Sequence, residues 1–332
     1  MARKPSAGRL NSGPVPDCPV PEYPAPEYRL YFVEVARSER LGPTFVRVTF
    51  TGECLRTFGA GGVDQRIKLL LPQPGQTVAD IPSGPGWYPA WQALPQEIRP
   101  TMRTYTVRTH RPEVAELDID FVLHGTAGGH GGPASAWAAK VRPGDTAALV
   151  GPDRPGSGRM WGCAWCPPET AEYLIIAGDE TAVPAVASII ESLPPQARGV
   201  VCVEVPAAGD RQDWDVPDRV EVRWLVRRDG TGSAPHGSLL EAAVREVLTE
   251  LREPDTHAAG TGLEDVDLDT ATLWDVPDRP TGELDTPGGE LYTWLAGEAT
   301  VINRLRRLMI NDLGVARSAV AFMGYWRQGR GG

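Results

Sequence analysis

An arginine, an aromatic residue and a hydroxyl alternate along one short segment, Arg103-Thr104-Tyr105-Thr106. In a β-strand, side chains alternate between the two faces, so Arg103 and Tyr105 share one face. The guanidinium of Arg103 is a planar, bidentate donor for a phosphate. The Tyr105 ring and the Thr106 hydroxyl suit a flat ring with polar edges. A strand end or tight turn here would therefore direct all three side chains at one ligand that carries a phosphate and a ring.

A glycine-rich stretch follows this segment and precedes the start of a helix. Residues 128–132 are Gly-Gly-His-Gly-Gly, and the four glycines have no side chain and can adopt positive φ angles. Pro133 and Ala134 suit a first helical turn, where Ser135 adds a hydroxyl near the open N–H groups. Such a helix start attracts a pyrophosphate through its N–H groups and its dipole. The alternative is that the glycines only turn the chain before a surface helix.

Together these motifs resemble those of a known family. The Arg-x-Tyr-Thr segment resembles the flavin-binding signature of the ferredoxin-reductase superfamily. The version found here is similar to one branch of that superfamily, the siderophore-interacting proteins, which are NAD(P)H-dependent ferric-siderophore reductases. The resemblance extends over residues 28–329, apart from one insertion, and rests on four ordered motifs at residues 103–106, 120–137, 177–185 and 324–329.

The resemblance implies that electrons pass from a nicotinamide, NADPH or NADH, through FAD to a ferric siderophore, which then releases Fe(II). Because the cofactor carries this chemistry, no catalytic acid or base and no protein metal site is expected. The implied FAD contacts are Arg103, Tyr105, Thr106, Asp120, His124, Gly132, Ala134, Ser135, Trp137 and, covering the flavin, Trp326. The implied nicotinamide contacts are Asp179, Glu180, Thr181, Ala182, Gly297 and Glu298.

Each of these assignments has a structural alternative. His124 could be a core histidine at a strand end, and Asp120 could pair with Arg108 across two strands. The turns at 178–181 and 297–298 could be capped strand-to-helix turns, with Asp179 or Thr181 as the N-cap. Near the C-terminus, Trp326 could be an ordinary core residue.

Basic residues are the predicted contacts for the siderophore. Arg66 and Lys68 alternate with Ile67 and therefore share one face of a strand. Ferric siderophores are commonly anionic, and a basic patch in an acidic protein would attract them. Arg327 is the third predicted siderophore contact. A solvated strand edge is the alternative for the first two, and the family often has a histidine at the position of Arg66.

Composition restricts the class of protein. The chain has 332 residues, of which 41% are apolar, and a net charge of -10, which disfavours nucleic acid and anionic membranes as partners. No apolar run approaches the roughly 18 residues of a membrane span. Nothing after Lys4 resembles a secretory signal, so the cytoplasm is the expected compartment. The chain is also expected to be a monomer. Five cysteines with uneven spacing do not indicate a disulfide framework.

The chain is predicted to be a two-domain β + α/β protein. A small antiparallel flavin-binding β-barrel precedes a doubly wound parallel-sheet nicotinamide-binding domain. A proline-rich, disordered tail is expected at residues 1–27 and the barrel at 28–152. A linker is expected at 153–168, and the α/β domain at 169–332 with an acidic loop inserted at 253–290.

Short strand-like segments and turns predict the barrel, and strands that alternate with helices predict the second sheet. Residues 73–100, rich in Pro, Gly and Trp, are interpreted as a long loop. Barrel strands are predicted at 28–36, 44–51, 67–71, 104–109, 117–124 and 146–150. In the second domain, strands are predicted at 173–177, 199–205, 220–226, 291–296 and 315–322, and helices at 182–193, 238–252 and 297–309.

Several questions stay open at this point. Cys163 and Cys166 form a C-x-x-C that could be half a zinc site or a redox pair, but without a second pair ordinary linker thiols are favoured. Glu204 could accept a ribose hydroxyl of NADH, whereas Arg211 and Arg227 could accept the 2′-phosphate of NADPH. Two other functions are compatible with these motifs: a flavin reductase that passes electrons to a ferredoxin or another protein, and a siderophore-binding protein without redox turnover.

Overall fold

A computed structural model describes residues 28–124, 132–155, 162–230, 232–251, 268, 272–277 and 290–329. The described residues fall into two compact units, an N-terminal unit that ends at Cys163 and a C-terminal unit that begins at Ala164. The division lies inside the predicted linker. The predicted tail and most of the predicted acidic loop lie outside the described residues.

The N-terminal unit contains an antiparallel sheet that curls on itself. Its order is β4-β3-β7-β1-β2-β6-β5, so the two edge strands, β4 and β5, are consecutive in the chain. Two residues link β4 to β5. The Val107 N–H donates to the carbonyl of Gln65, just before β3, and the Arg108 N–H donates to the carbonyl of Asp118 on β6, each at 2.8 Å. The predicted antiparallel, barrel-like sheet is confirmed. Its strands are β1 (Tyr28–Arg40), β2 (Phe45–Thr51), β3 (Arg66–Leu71), β4 (Thr101–Thr106), β5 (Thr109–Arg111), β6 (Glu116–Val122) and β7 (Thr146–Pro152).

Period-two alternation decides which side chains fill this barrel. On β6, Leu117, Ile119 and Phe121 are fully buried in the main apolar cluster of the unit. Asp118 and Asp120 alternate with them on the outer face of β6 and are also buried. Their burial is tolerated because Asp118 pairs with Arg111 and Asp120 pairs with Arg47. The sheet is therefore apolar inside and charge-paired outside along this strand.

Two short helices accompany the barrel. The helix α1 (Trp87–Ala93) lies within residues 73–100, which the sequence predicted to be a loop without a helix, and that prediction was wrong. Gly86 precedes it in the left-handed region at φ 80°, a conformation that glycine adopts at low cost. The predicted helix start after Gly132 is confirmed as α2 (Pro133–Ala138), with its proline in the first turn.

The C-terminal unit contains a mainly parallel sheet with the order β10-β9-β8-β12-β13-β11, in which only β11 is antiparallel. The chain runs outward from β8 to β10 and then returns to the other side of β8. The carboxyl ends of β8 and β12 therefore form the switch point at which such sheets bind ligands. The elements are β8 (Ala171–Asp179), α3 (Val183–Ser192), β9 (Gly199–Ala207), β10 (Val220–Arg228), α4 (Ser238–Glu250), β11 (Trp274–Asp275), β12 (Glu290–Glu298), α5 (Ala299–Arg307) and β13 (Val320–Trp326).

Helix packing in this unit follows the apolar stripe in the sequence. Leu240, Val244 and Val247 of α4 are buried together with Ile175 of β8 and Leu305 of α5. This confirms the predicted amphipathic helix and its buried side. The last strand begins five residues later than predicted, because a short 3-10 turn at Arg317–Ala319 precedes it. In the described part of the chain, no helix is both long enough and apolar enough to cross a membrane.

Candidate cofactor sites

The first candidate site lies on the edge strand β4 of the N-terminal unit. The register of β3 and β4 places Tyr105 opposite Ile67 and Arg103 opposite Leu69, so both side chains are on the barrel-side face of the strand. The Tyr105 ring lies 4.4 Å from the ring of Phe121. Burial raises the pKa of Tyr105, so the phenol stays neutral at physiological pH.

The guanidinium of Arg103 is electrically uncompensated within the described residues. It donates one hydrogen bond, at 2.8 Å, to the neighbouring Met102 carbonyl, and it forms no ion pair there. Other arginines of this unit, such as Arg47 and Arg111, have carboxylate partners. Arg103 therefore keeps its bidentate face available for an anionic ligand.

A side-chain hydroxyl joins the end of β6 to the start of α2. The Ser135 hydroxyl donates to the Val122 carbonyl at 2.6 Å and accepts the His124 N–H at 2.9 Å. Two residues later, the Trp137 ring stacks parallel to Phe50 at 6.2 Å. Gly132 precedes the helix at a point where an added Cβ would meet nothing within 4 Å. Ala134 is buried beneath this turn.

Asp120 has the structural partner that was expected, Arg108, and a second, closer one. Both of its carboxylate oxygens accept hydrogen bonds from Arg47 of β2, at 2.6 and 2.7 Å. The predicted partner Arg108 lies farther away, at 3.9 Å. Asp120 is buried, and this pairing accounts for its burial without a ligand.

Arg66 and Lys68 lie on the outer face of β3, as predicted, opposite Thr106 and Thr104 of β4. The Lys68 ammonium donates to the Thr104 hydroxyl at 2.6 Å. Desolvation, and to a smaller extent the positive charge of Arg66, lowers the pKa of Lys68. Thr106 is buried on this face, whereas Tyr105 points to the other, so the segment presents its residues to both sides.

The second candidate site is centred on Asp179, at the carboxyl end of β8 in the C-terminal unit. One oxygen, Oδ1, accepts the Thr181 N–H at 2.9 Å and the Thr181 hydroxyl at 2.5 Å. The other, Oδ2, accepts the Glu298 N–H and the Trp326 indole N–H, each at 2.8 Å. Asp179 is only 1% exposed, and burial together with the Glu180 carboxylate raises its pKa.

A buried ion-pair network adjoins Asp179. Arg227 of β10 donates to both carboxylate oxygens of Glu180, at 2.7 and 2.8 Å, and to Glu204 at 3.1 Å. Glu204 also accepts the backbone N–H groups of Gly237 and Leu240 at the start of α4. Glu204 is fully buried, so it does not present a carboxylate to a ribose hydroxyl, contrary to that prediction.

His236 belongs to the same network and was not identified in the sequence. Its Nε2 lies 3.5 Å from Asp179 Oδ2 and 3.7 Å from Glu180 Oε2, and its ring meets Trp326 edge-on at 5.3 Å. Burial and Arg227 lower the pKa of His236, but the two carboxylates outweigh them and raise it above 6.5 overall.

Glu298 caps the helix α5 and borders a small pocket. Its carboxylate accepts the Thr300 and Val301 N–H groups at 2.7 and 3.0 Å, and the Gln328 N–H at 3.1 Å. This confirms the alternative interpretation of the turn as a capped helix start. The pocket has a volume of about 240 Å³ and is lined by His236, Glu298, Thr300, Val301, Arg304, Arg327 and Gln328.

Glycine is required where β8 and β12 meet. Gly297 has φ 155°, and a Cβ on it would lie 2.8 Å from the Asp179 carboxylate. A Cβ on Gly178 would lie 2.5 Å from the Cβ of Ala182. The predicted nicotinamide contacts Asp179 to Ala182 and Gly297 to Glu298 therefore form one close-packed group at the switch point.

The C-x-x-C residues do not pair with each other. Cys163 is a buried free thiol whose pKa is raised by burial, which disfavours the reactive thiolate. Cys166 is buried and disulfide-bonded, so the expectation of two ordinary linker thiols is wrong for Cys166. Among the described residues, no group of three or more His, Cys, Asp or Glu could hold a metal ion.

Comparison with known proteins identifies relatives of both units. A family model described as the siderophore-interacting FAD-binding domain matches residues 34–156, and one described as siderophore-interacting protein matches residues 171–329. The crystal structure of the siderophore-interacting protein SipS from Aeromonas hydrophila superimposes with a TM-score of 0.61 at 30% identity, covering 91% of this chain and 93% of that one.

Two relatives carry names that state an activity. The chain is 29% identical to the ferric vibriobactin reductase ViuB of Vibrio cholerae over 300 residues, which cover 90% of this chain and 89% of the relative. It is 33% identical to the NADPH-dependent ferric-chelate reductase of Escherichia coli over 186 residues, which cover 53% of this chain and 64% of the relative.

Proposed function

The chain belongs to the siderophore-interacting protein family, and on that basis we propose that it is a flavin-dependent reductase of ferric siderophores. Electrons would come from NADPH or NADH through FAD, and the iron would leave as Fe(II). The names of the Vibrio cholerae and Escherichia coli relatives support a reductase rather than a siderophore-binding protein without turnover.

The observation that carries this proposal is the uncompensated guanidinium of Arg103 beside the ring of Tyr105. A phosphate-bearing flavin matches this pair of donors, because a guanidinium binds phosphate oxygens in a bidentate manner and a neutral aromatic ring packs against a flat heterocycle. When bound, FAD supplies the transfer of electrons between a two-electron nicotinamide donor and a one-electron iron acceptor. We propose that Arg103 holds a phosphate of the cofactor and that Tyr105 orients its ring.

Other residues predicted to contact FAD are proposed to hold the surrounding backbone in place. Ser135 holds the end of β6 against α2, so His124 and Gly132 are set at one turn. We propose that backbone N–H groups near this turn and the Trp137 ring contact the cofactor. Asp120, which is saturated by Arg47, is proposed to act through the strand rather than by direct contact.

We propose that the nicotinamide nucleotide binds at the switch point of the C-terminal sheet. The carboxylates of Asp179 and Glu298 are occupied by protein donors, so their role is to hold the strand ends in place. The pocket bordered by Thr300 and Val301 is the space that we propose receives part of the nucleotide. Arg227 is ion-paired, so the exposed Arg211 stays the predicted acceptor of the 2′-phosphate of NADPH.

The proposed substrate is an anionic ferric siderophore. Arg66 and Lys68 of β3 are its proposed contacts, and Arg327 stays a prediction from the sequence. The cytoplasmic location, the monomeric state and any contact with a ferredoxin stay predictions.

Two measurements test this function. Titration of the purified chain with FAD should give a stoichiometric yellow complex. Anaerobic incubation of that complex with NADPH, and separately with NADH, should reduce ferric siderophores from a panel of anionic and neutral chelates. A colourless protein that takes up no FAD, but still binds ferric siderophores, would replace the reductase with the non-redox binder.

A further inference from the structure

The strand β10 (Val220–Arg228) forms one edge of the C-terminal sheet, and within the described residues no other strand pairs with its outer side. It is nine residues long, contains no proline and stays in one register along β9 without a bulge. The opposite edge strand, β11, has only two residues. Proteins often protect an edge strand by making it short or by placing prolines or bulges on it, because its unpaired N–H and C=O groups can pair with another chain. The strand β10 lacks these protections.

Alternation along β10 shows which backbone groups face outward. The Arg219 carbonyl accepts the Gly199 N–H at 3.2 Å, so odd-numbered residues direct their N–H and C=O groups at β9. The isolated bridge that follows β10 is made on the β9 side as well, because the Ala234 N–H donates to the Arg227 carbonyl. The outward-facing backbone groups belong to even-numbered residues: Val222, Trp224 and Val226. These groups are placed to pair with a further strand.

The side chains of β10 separate into an apolar face and a charged face. Three half-buried apolar side chains share one face: Val222, Trp224 and Val226. The Trp224 ring lies 4.6 Å from the ring of Trp214, which precedes the strand. On the other face, Arg223 pairs with Glu221 at 2.7 Å and with two glutamates of α4. The charge of Arg223 is therefore balanced within the chain.

One antiparallel register between two copies of β10 brings opposite charges together. Because only the even-numbered residues can exchange hydrogen bonds across this edge, the two-fold axis passes through a residue and not between two residues. With the axis at Trp224, the exposed Arg219 lies opposite the exposed Asp229 of the second copy. In the same register, Glu221 lies opposite Arg227 of the second copy. On the apolar face, valines lie opposite valines, and the two Trp224 rings meet at the axis.

The neighbouring registers are electrostatically unfavourable. If the axis moves one residue towards the N-terminus, Arg219 lies opposite Arg227 of the second copy. If the axis moves one residue towards the C-terminus, Glu221 lies opposite Asp229 of the second copy. Like charges directly opposite each other destabilise a pair of strands, whereas opposite charges stabilise it. The sequence of β10 and its flanking residues is therefore complementary to itself in a single register.

We propose that β10 binds β10 of a second copy of this chain in this register, which joins the two C-terminal sheets into one about a two-fold axis. The occupant is a second copy because the strand is complementary in charge to itself. The interface adjoins the switch point of the sheet, since Arg227 also pairs with Glu180 and Glu204 there. A dimer replaces the monomer expected from the sequence, and it does not depend on the proposed function.

The oligomeric state of the purified chain tests this inference. Sedimentation equilibrium over a concentration series should show a dimer that dissociates on dilution. Arg219→Asp and Asp229→Arg should each raise the dimer dissociation constant about tenfold, because the two-fold axis repeats the lost pair and each exposed pair is worth up to about fivefold. The double variant, Arg219→Asp with Asp229→Arg, should restore the dissociation constant of the parent.

Further comparisons separate strand pairing from other effects. Lys140→Glu, on an exposed lysine of the N-terminal unit, changes the net charge as much as Arg219→Asp does and should leave the dimer unchanged. Asp229→Arg reduces the net negative charge, so general repulsion between acidic chains predicts a tighter dimer, the opposite of our expectation. Val222→Pro removes an outward N–H but no hydrogen bond to β9, so it should give a folded monomer, with circular dichroism as the check of folding.

The outcomes decide the inference in both directions. A dimer that each single charge variant weakens and the double variant restores supports it. A parent that stays monomeric at every concentration overturns it, and slow hydrogen exchange at Trp224 in that monomer would show that another part of the chain covers the edge. A dimer that none of the β10 variants weakens uses another surface, and that result overturns the inference as well.

Discussion

The indole N–H of Trp326 donates to Oδ2 of Asp179 at 2.8 Å, although 147 positions separate the two residues. The same oxygen accepts the Glu298 N–H, so the ends of β8, β12 and β13 meet at one carboxylate. A buried carboxylate with several donors is a strong constraint on geometry. The C-terminal motif that contains Trp326 is therefore part of the switch point of the sheet rather than ordinary core.

Removal of the indole donor should destabilise the C-terminal unit. Trp326→Phe keeps an aromatic ring but leaves Asp179 without one charge-assisted hydrogen bond. We expect the free energy of unfolding in urea to fall by about 1.5–3 kcal/mol. The matched control is Trp224→Phe on β10, whose indole packs against Trp214 at an interplanar angle of 43° and makes no hydrogen bond within the described residues. If both variants lose the same free energy of unfolding, the hydrogen bond from Trp326 to Asp179 contributes nothing to stability.

Stability should depend on pH through His236. Its folded-state pKa is raised by Asp179 and Glu180, so its contribution is fully present below pH 6.5 and is lost as the pH rises through the folded pKa. The difference in unfolding free energy between the parent and His236→Gln should shrink over that window, by at most about 1.4 kcal/mol per pH unit.

His110 provides an internal control of opposite sign. Burial lowers its pKa, and its Nε2 lies 2.8 Å from the Leu55 carbonyl. Its contribution is therefore present above pH 6.5 and is lost as the pH falls through the folded pKa. His110→Gln should give a difference that shrinks towards acid. Parallel pH profiles for the two variants would contradict the assigned charges.

Flavin affinity should depend on Arg103 more than on Arg40, an exposed arginine of the same unit. Arg103→Ala removes the proposed bidentate phosphate contact, and we expect the FAD dissociation constant to rise roughly 10- to 150-fold, equivalent to about 1.5–3 kcal/mol. Arg40→Ala is the control, because Arg40 likewise donates to a nearby carbonyl, that of Pro43 at 3.0 Å. Fluorescence titration with FAD measures both, and an unchanged constant for Arg103→Ala would remove it from the site.

Charge on the outer face of β3 should set the affinity for anionic substrate. Lys68→Glu should raise KM for an anionic ferric siderophore about 30-fold, since charge reversal replaces an attraction of about 1 kcal/mol in water by a repulsion of similar size. KM for a neutral ferric chelate and the FAD content should stay the same. Lys140→Glu, on an exposed lysine just after α2, changes net charge equally. If Lys68→Glu and Lys140→Glu raise KM for the anionic siderophore equally, the effect comes from the net charge of the protein and not from a contact with Lys68.

Structural features that depend on a regular spacing of residues could be predicted from the sequence. Alternation along β3 correctly placed Arg66 and Lys68 on one face, and the stripe along α4 correctly identified its buried side. The helix start at Pro133 was also found, because the fixed φ of proline suits the first helical turn.

Features without a local pattern were missed. The helix α1 is only seven residues long, contains Pro89, and is held by contacts from Arg99 and the sheet rather than by its own propensity. His236 lies alone in a loop, and only the fold brings it to Glu180. Glu204 lies inside β9 (Gly199–Ala207) rather than at its end, and it accepts the Leu240 N–H of α4, so the predicted ligand contact is a helix cap.

The central claim is tested most directly by the anaerobic formation of Fe(II). The FAD-loaded chain, an anionic ferric siderophore and NADPH or NADH are mixed with a ferrous chelator, and the absorbance of the trapped Fe(II) is followed. We predict Fe(II) production that requires protein, flavin and nicotinamide together, and that falls in Arg103→Ala at limiting FAD. A chain that binds FAD stoichiometrically, but yields no Fe(II) from any ferric chelate with either nicotinamide, would contradict the account.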